Sequence, residues 1–177
     1  MNYDCMKIHP SAKIARNATV LGNVEIDEDA CVLFGAVVRG DCGGRIRIGK
    51  RTNLQDLVCV HLPVGGETII GDDVAIGHGA IVHGCVIEDH TLIGMGAIVL
   101  DGAHIGRDCL IAAGAVVTGT SDIPDGSLVM GTPGRVVGHV EQRHLDYIQG
   151  SVDEYLKISY DLVEQGIIEE GYAANGH

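Results

Sequence analysis

Branched aliphatic residues recur at every sixth position along the chain, with glycine and polar residues between them. An α-helix repeats at about 3.6 residues and a strand at two, so neither element accounts for a period of six. The pattern runs through twenty positions with three interruptions: Ile8, Ile14, Val20, Ile26, Val32, Val38; Ile48, Leu54, Val60; Ile70, Ile76, Val82; Ile87, Ile93, Val99, Ile105, Ile111, Val117, Ile123, Val129. A short fixed period of this kind indicates a chain built from repeated structural units.

Taking every third of these positions separates them by residue type. The three sets are Val20, Val38, Val60, Val82, Val99, Val117; Ile8, Ile26, Ile48, Ile70, Ile87, Ile105, Ile123; and Ile14, Val32, Leu54, Ile76, Ile93, Ile111, Val129. Three hexads therefore make one turn of a three-sided coil, and members of a set stack about 4.8 Å apart. β-branched residues suit such ladders. We predict an all-β solenoid, a parallel β-helix of hexapeptide repeats with six to seven coils.

Two interruptions are spacings of ten residues, and both lie between the Val set and the Ile set. The loops at 42–46 and 62–67 should therefore project from one corner of adjacent coils. Departures from a structural repeat are common places for binding and catalytic residues.

The tail has a different pattern. After the β-helix domain (residues 1–135), the segments "HVEQRHLDYIQG" and "SVDEYLKISYDLVEQG" predict two helices within 136–166. Ser151 and Glu154 match a capping box for the second helix, and its mostly apolar stripe predicts packing along the solenoid. Residues 167–177 have the composition of a disordered tail.

Composition bears on partners and compartment. The formal net charge of −12 opposes binding to nucleic acid and to anionic membranes, and no apolar run reaches the length of a membrane span. The start of the chain lacks a secretory signal pattern, and the six Cys are scattered without a C-x-x-C pair. We therefore expect a cytoplasmic protein with reduced cysteines.

Three histidines take related places in the repeat. His61 follows Val60 and His83 follows Val82, so these two are neighbours on consecutive coils, with Arg39 in the same line one coil earlier. His78 belongs to another face, stacked over Asp56. One chain cannot easily bring His78 to the other two, but three chains around a three-fold axis can. The positions predict a homotrimer with metal ligands shared between adjacent subunits.

Three neutral His with one open position are the ligand set of a catalytic rather than a structural zinc. Such a metal lowers the pKa of bound water to about 7, and the resulting hydroxide can attack CO2 or an ester or thioester carbonyl. We expect Zn²⁺, while Fe²⁺ or Co²⁺ would also suit these ligands.

The sequence resembles the γ-class carbonic anhydrase family over nearly its whole length. The matching motifs are "RGD" at 39–41, "IGKRTNLQD" at 48–56, His61, "IGHGAIVHGC" at 76–85, "GTPGR" at 131–135 and the tyrosine of the tail helix. The resemblance implies a left-handed β-helix, a trimer with a metal between subunits, and a lyase that reversibly hydrates CO2 to bicarbonate through a metal-bound hydroxide.

The resemblance also implies roles for single residues. The family's metal ligands correspond to His61, His78 and His83, its active-site glutamine to Gln55 with Asn53 beside it, and its interface pair to Arg39 and Asp41; its other aspartate corresponds to Asp56, and the helix tyrosine near the metal to Tyr155.

Two departures keep other functions open. Cys42 follows Asp41, and the second loop offers only Glu67 as a proton acceptor, so fast hydration is not implied. The short loop and the "QGSVDEYL" tail resemble the subgroup encoded with phenylacetate and carnitine pathways, whose members are linked with CoA thioesters. A metal-dependent hydrolase of CoA thioesters, a hexapeptide acyltransferase and a non-catalytic metal-bound assembly protein are the alternatives.

Structural interpretations of the same residues also remain. Arg39 and Asp41 would then form an ion pair between chains, Asn53, Gln55 and Asp56 a polar turn, and Cys42 and Cys59 would act as small packing residues.

Overall fold

A computed structural model describes residues 5–171. Nearly every hexad forms one short strand followed by a corner. In chain order the elements are β1 (Lys7–Ile8), β2 (Lys13–Ala15), β3 (Thr19–Gly22), β4 (Val24–Ile26), β5 (Cys31–Val32), β6 (Val37–Gly40), β7 (Arg45–Ile48), β8 (Asn53–Leu54), β9 (Cys59–His61), β10 (Glu67–Ile70), β11 (Ala75–Ile76), β12 (Ile81–His83), β13 (Val86–Ile87), β14 (Leu92–Ile93), β15 (Ile98–Val99), β16 (His104–Ile105), β17 (Leu110–Ile111), β18 (Val116–Val117), β19 (Asp122–Ile123), β20 (Ser127–Met130), β21 (Arg135–His139), α1 (Gln142–Glu164) and β22 (Ile168–Glu170).

The strands form three sheets, one for each set of aliphatic residues, and all pairs are parallel except those of β21 and β22 at the two ends of one sheet. The Ile sheet has the order β1-β4-β7-β10-β13-β16-β19, the Val sheet β3-β6-β9-β12-β15-β18, and the mixed sheet β22-β2-β5-β8-β11-β14-β17-β20-β21. The register pairs members of a set directly, as in Ile8 with Ile26 and Val60 with Val82. The predicted β-solenoid of about seven turns is confirmed, and the aliphatic sets form its buried core.

The two predicted loops project from the corner between the Val sheet and the Ile sheet. The first joins β6 to β7 and the second joins β9 to β10 on the next coil. They lie one above the other on adjacent coils, and a hydrogen bond joins them, in which the backbone N–H of Gly65 donates to the carbonyl oxygen of Cys42 at 2.8 Å.

Helix α1 covers the outer face of the mixed sheet. Ile148 and Val152 are buried against Ala75 and Leu92, as the apolar stripe predicted. This packing buries both faces of the central strands of that sheet. No helix within residues 5–171 combines the length and the hydropathy that crossing a membrane requires.

The prediction of two helices was wrong, because one continuous helix spans Gln142–Glu164. Gly150 lies inside it, and an interior glycine costs only about 1 kcal/mol, which the packing of Ile148 and Val152 offsets. Ser151 is therefore not a cap. The cap forms earlier, where the backbone N–H of Glu141 donates to Nδ1 of His144 at 2.9 Å.

The chain also adds an antiparallel strand to each end of the mixed sheet. β21 pairs with β20, so residues 135–139 extend the solenoid rather than begin the helical segment. β22 pairs with β2, so the expectation of a disordered tail from residue 167 is wrong for Ile168–Glu170. The remainder of that predicted tail, residues 172–177, lies outside the described residues. Both added strands shield sheet edges that could pair with other chains.

Candidate metal centre

His61 and His83 end adjacent strands of the Val sheet and lie side by side. The register pairs His61 on β9 with His83 on β12. Their ring centroids are 5.0 Å apart, and Nδ1 of His61 lies 3.0 Å from Nε2 of His83. Two ligand atoms on one tetrahedral zinc are separated by about 3.3 Å. The spacing of this pair therefore fits a shared cation.

Carboxylates contact the other ring nitrogens of both histidines. Asp41 Oδ1 lies 3.1 Å from Nε2 of His61, and Asp101 makes a short contact with Nδ1 of His83. Each of these nitrogens therefore carries the proton that it donates to a carboxylate. The two nitrogens that face each other are then both lone-pair acceptors, an arrangement that requires a proton or a cation between them.

Arg39 fixes the Asp41 carboxylate, with its Nη1 2.5 Å from Oδ2. Partial burial would raise the pKa of Asp41, but hydrogen bonds with His61, Arg39 and Cys42 together lower it to about 2. Asp41 is therefore charged at neutral pH. Arg39 and Asp41 had been considered as an ion pair between chains; in the structure they bind each other within one chain.

Cys42 also belongs to this corner. Its Sγ lies 3.5 Å from both Asp41 Oδ1 and His61 Nε2. Burial and the adjacent Asp41 carboxylate raise the pKa of the Cys42 thiol. Among residues 5–171, Asp41, Cys42 and His61 form the one group of three or more His, Cys, Asp or Glu residues whose potential ligand atoms all lie within 4.8 Å of one another. Cys42 packs against the core as expected, yet the packing interpretation missed its contact with His61. The position of Cys42 directly after Asp41, at the start of the projecting loop, was the sequence feature that could have indicated this contact.

His78 lies at a different corner, after β11 of the mixed sheet. Its Nδ1 is 3.2 Å from Asp56 Oδ2, as the predicted stacking of these residues requires, and its Nε2 is 3.0 Å from the hydroxyl of Tyr155 on α1. Burial and, to a smaller extent, the negative charge of Asp56 raise the pKa of Tyr155, so its hydroxyl keeps its proton and donates to Nε2 of His78. His78 shares no contact with His61 or His83 among the hydrogen bonds and ion pairs of the described residues.

Gln55 and Asn53 belong to the same corner as His78. Gln55 Oε1 accepts the backbone N–H of His78 at 3.2 Å, and Gln55 Nε2 donates to Asn53 Oδ1 at 3.2 Å. Within one chain Gln55 lies with His78 and not with His61 and His83, because the chain turns a corner between β8 and β9. Asn53 is 1% exposed, and its Nδ2 is the one buried side-chain polar atom without a partner in the described part of the chain.

Two adjoining cavities lie between α1 and the coils next to this corner. The first has a volume of about 270 Å³ and the second about 420 Å³. Gln55, Met95, Tyr147 and Ser151 line both. Tyr155 lines the second cavity, so the phenol that contacts His78 also faces this space.

Comparisons with known proteins agree with the repeat. A family model described as bacterial transferase hexapeptide (six repeats) matches residues 84–119. A probable carbonic anhydrase of Methanocaldococcus jannaschii is 46% identical over 155 residues, which cover 88% of this chain and 97% of that protein. Gamma carbonic anhydrase 2 of Arabidopsis thaliana mitochondria is 40% identical over 82 residues, or 43% of this chain and 29% of the relative.

Among solved structures, a hexapeptide transferase family protein from Anaplasma phagocytophilum superposes with a TM-score of 0.84. It is 34% identical, and the match covers 88% of this chain and 92% of that one.

Proposed function

Since the chain belongs to the γ-class carbonic anhydrase-like family of hexapeptide-repeat proteins, we propose that it is a metalloenzyme that reversibly hydrates CO2 to bicarbonate at sites shared between subunits of a homotrimer. The observation that carries this proposal is the pair of facing lone-pair nitrogens on His61 and His83, 3.0 Å apart. A carboxylate holds the other nitrogen of each ring, which is the usual support of a metal-bound imidazole.

The cation would be held by His61 and His83 of one subunit and by His78 of the next, where it would replace the Tyr155 hydroxyl at Nε2 of His78. Three neutral imidazoles fit Zn²⁺ and also suit Fe²⁺ or Co²⁺. When bound, a cation with three protein ligands keeps an open position and lowers the pKa of a water there to about 7.

An uncovered apolar face supports the trimer. The outward residues of the Val sheet are mostly apolar, while those of the Ile sheet are largely charged and the mixed sheet is covered by α1. The apolar outward residues of the Val sheet, from β6 to β18, are Val37, Cys59, Ile81, Ile98 and Val116, and Arg39, His61 and His83 lie at the loop end of the same strands. Ile81 is 40% exposed in the single chain and lies two residues before His83. Burying this face against another subunit would bring a partner to the corner that holds His61 and His83.

The remaining polar residues would bind and orient the reactants. One amide N–H of Gln55 and the Nδ2 group of Asn53 are still free to donate to a substrate oxygen. Asp56 and Asp41 keep the protons of His78 and His61 on the nitrogens that they contact. Glu67 is paired with Arg45 at 2.8 Å on the exposed side of β10, so the proton released by hydration would pass to bulk water or buffer.

An acyl-transferring or thioester-hydrolysing activity is the second candidate function. The structural relative from Anaplasma phagocytophilum is described as a hexapeptide transferase family protein. The volume of the cavities beside Gln55 is larger than a CO2 molecule needs.

Stopped-flow measurement of CO2 hydration by the zinc-loaded protein tests the first candidate. We expect turnover that is lost on chelation and in His61→Ala, and that is retained in His139→Ala, which alters an exposed histidine of β21. Zinc-loaded protein without chelator-sensitive hydration would contradict the proposal.

A further inference from the structure

The two cavities beside α1 exist because small residues face each other there. Ser151 on the helix lies opposite the turn residues Gly94 and Ala112 of the coils, and all three line the first cavity. Ile148, three residues before Ser151, and Val152, directly after it, are fully buried against Ala75 and Leu92. The helix therefore packs closely through Ile148 and Val152 and leaves an opening beside the small side chain of Ser151.

The walls of the first cavity are apolar. Leu92, Met95, Leu110 and Ile111 line it. Met95 occupies the place in its coil that His78 occupies in the preceding one, so the apolar wall begins one coil from His78. At about 30 Å³ for each water-sized unit, roughly 270 Å³ holds an alkyl chain of about six to nine heavy atoms.

The polar side of the cavities offers hydrogen-bond donors and repels anions. Gln55 lines both cavities with one amide N–H unused, and the buried Nδ2 of Asn53 behind it has no partner. Buried donors without partners are rare, so they indicate a missing acceptor. Asp146 and Glu154 line the second cavity, and no Lys or Arg lines either cavity within residues 5–171. A phosphate or a carboxylate would therefore be disfavoured, whereas a neutral carbonyl oxygen would be accepted.

We propose that the cavities between α1 and the coils bind the acyl group of a neutral acyl compound, an ester, thioester or amide. Its alkyl chain lies against Leu92, Met95 and Leu110, and its carbonyl oxygen accepts from Gln55. The backbone link from Gln55 to His78 places that carbonyl beside the corner that offers His78 and Tyr155. Binding of the acyl group does not depend on the metal. Any reaction of its carbonyl at the metal rests on the proposed function, to which this site adds a second substrate class.

Binding of hexanamide and acetamide to the protein in solution tests the site. The reporter is the ¹³C-labelled methyl of Met95, assigned with Met95→Leu. We expect a saturable shift with hexanamide and at least roughly tenfold weaker binding of acetamide, because each buried methylene tightens binding about fourfold. Equal affinity for the two amides, or no saturable shift, would overturn the proposal.

A matched pair of variants locates the binding. Ser151→Phe fills the cavity and should abolish the Met95 shift, whereas Lys157→Phe adds the same ring to an exposed position of α1 and should leave it unchanged. An unchanged shift in Ser151→Phe would count against the site. Should Ser151→Phe fail to fold, the comparison of the two amides in the unaltered protein still decides.

The same titration with chelator separates this proposal from the first. A protein that lacks CO2 hydration but keeps the hexanamide shift loses the proposed function and retains the acyl site.

Discussion

At the scale of single residues, the three candidate ligands share one kind of support. His61, His83 and His78 each present one ring nitrogen to a carboxylate, from Asp41, Asp101 and Asp56 respectively. The carboxylate fixes the ring and its tautomer and leaves a lone pair on the second nitrogen, which on His78 accepts from the Tyr155 hydroxyl in the single chain. Such outer partners commonly contribute a factor of 10–100 to metal affinity.

Asp101→Asn should weaken metal binding by about tenfold, toward the lower end of that range because the carboxylate is half exposed. The amide can no longer hold the proton on Nδ1 of His83 as firmly. Isothermal titration of the apo protein with Zn²⁺ measures the change.

Asp122→Asn is the matched control, because Asp122 contacts His104 on the Ile sheet in the same way, 2.8 Å from Nδ1. Its zinc affinity should equal that of the unaltered protein. Equal affinities for all three proteins would show that Asp101 does not position His83.

The repeat predicts some of these contacts and not others. The stacking of His61 with His83 followed from their place in the repeat. The Asp101 contact does not follow from the same rule, because the spacing of five between Val82 and Ile87 shortens this coil to an offset of 17, so that Leu100 takes the place next to His83 and Asp101 comes one position later. The contact between Cys42 and His61 could not be obtained this way, because Cys42 lies in a loop that breaks the period.

At the scale of elements, a cluster around the buried Lys13 joins α1 to the start of the solenoid. Lys13 on β2 is fully buried, and its Nζ lies 2.9 Å from Asp29 Oδ1 and 3.8 Å from the ring centre of Tyr160. The hydroxyl of Tyr160 donates to the same Asp29 oxygen at 2.9 Å. Burial opposes ionisation of Asp29, but its hydrogen bonds with Lys13 and Tyr160 lower its pKa.

Lys13→Met should lower the free energy of unfolding by about 2–3 kcal/mol at pH 7. Removing one partner of a fully buried pair costs about 3–5 kcal/mol, and Asp29 retains some contact with solvent. Urea denaturation measures the loss, with Lys7→Met on the exposed face of β1 as a control that should change stability by less than about 0.5 kcal/mol.

The pH dependence checks the cause. Because the pKa of Asp29 is lowered, its contribution is complete above the ordinary aspartate pKa of about 3.9 and is lost as the pH falls through the lowered value. The stability gap between Lys13→Met and the unaltered protein should therefore narrow in acid. A gap that is independent of pH would indicate packing rather than charge as the cause.

Element boundaries were less predictable than the repeat itself. The capping-box match at Ser151 and Glu154 predicted the start of a second helix, but burial of Ile148 and Val152 on either side of Gly150 maintains one helix. Strand β22 pairs with residues that lie more than 150 positions earlier in the chain, and no local pattern indicates such a partner.

At the scale of the whole molecule, the three sheets face different environments. The mixed sheet is covered by α1, the Ile sheet presents charged residues such as Glu25, Arg47 and Asp122, and the Val sheet presents an apolar surface. The period of six predicted the three sheets and their registers because packing of the aliphatic sets dictates them. It also predicted that His78 lies apart from His61 and His83.

The central claim is that each metal site needs two chains, and complementation between defective subunits tests it most directly. One chain would carry His78→Ala and the other His61→Ala with His83→Ala, expressed separately and together. Each alone should bind no stoichiometric zinc. Mixed trimers should bind about a quarter of the unaltered amount, since random assembly joins the two intact half-sites at about one interface in four. Zinc content that stays at zero in the mixed trimers, or full zinc in His78→Ala alone, would contradict the account.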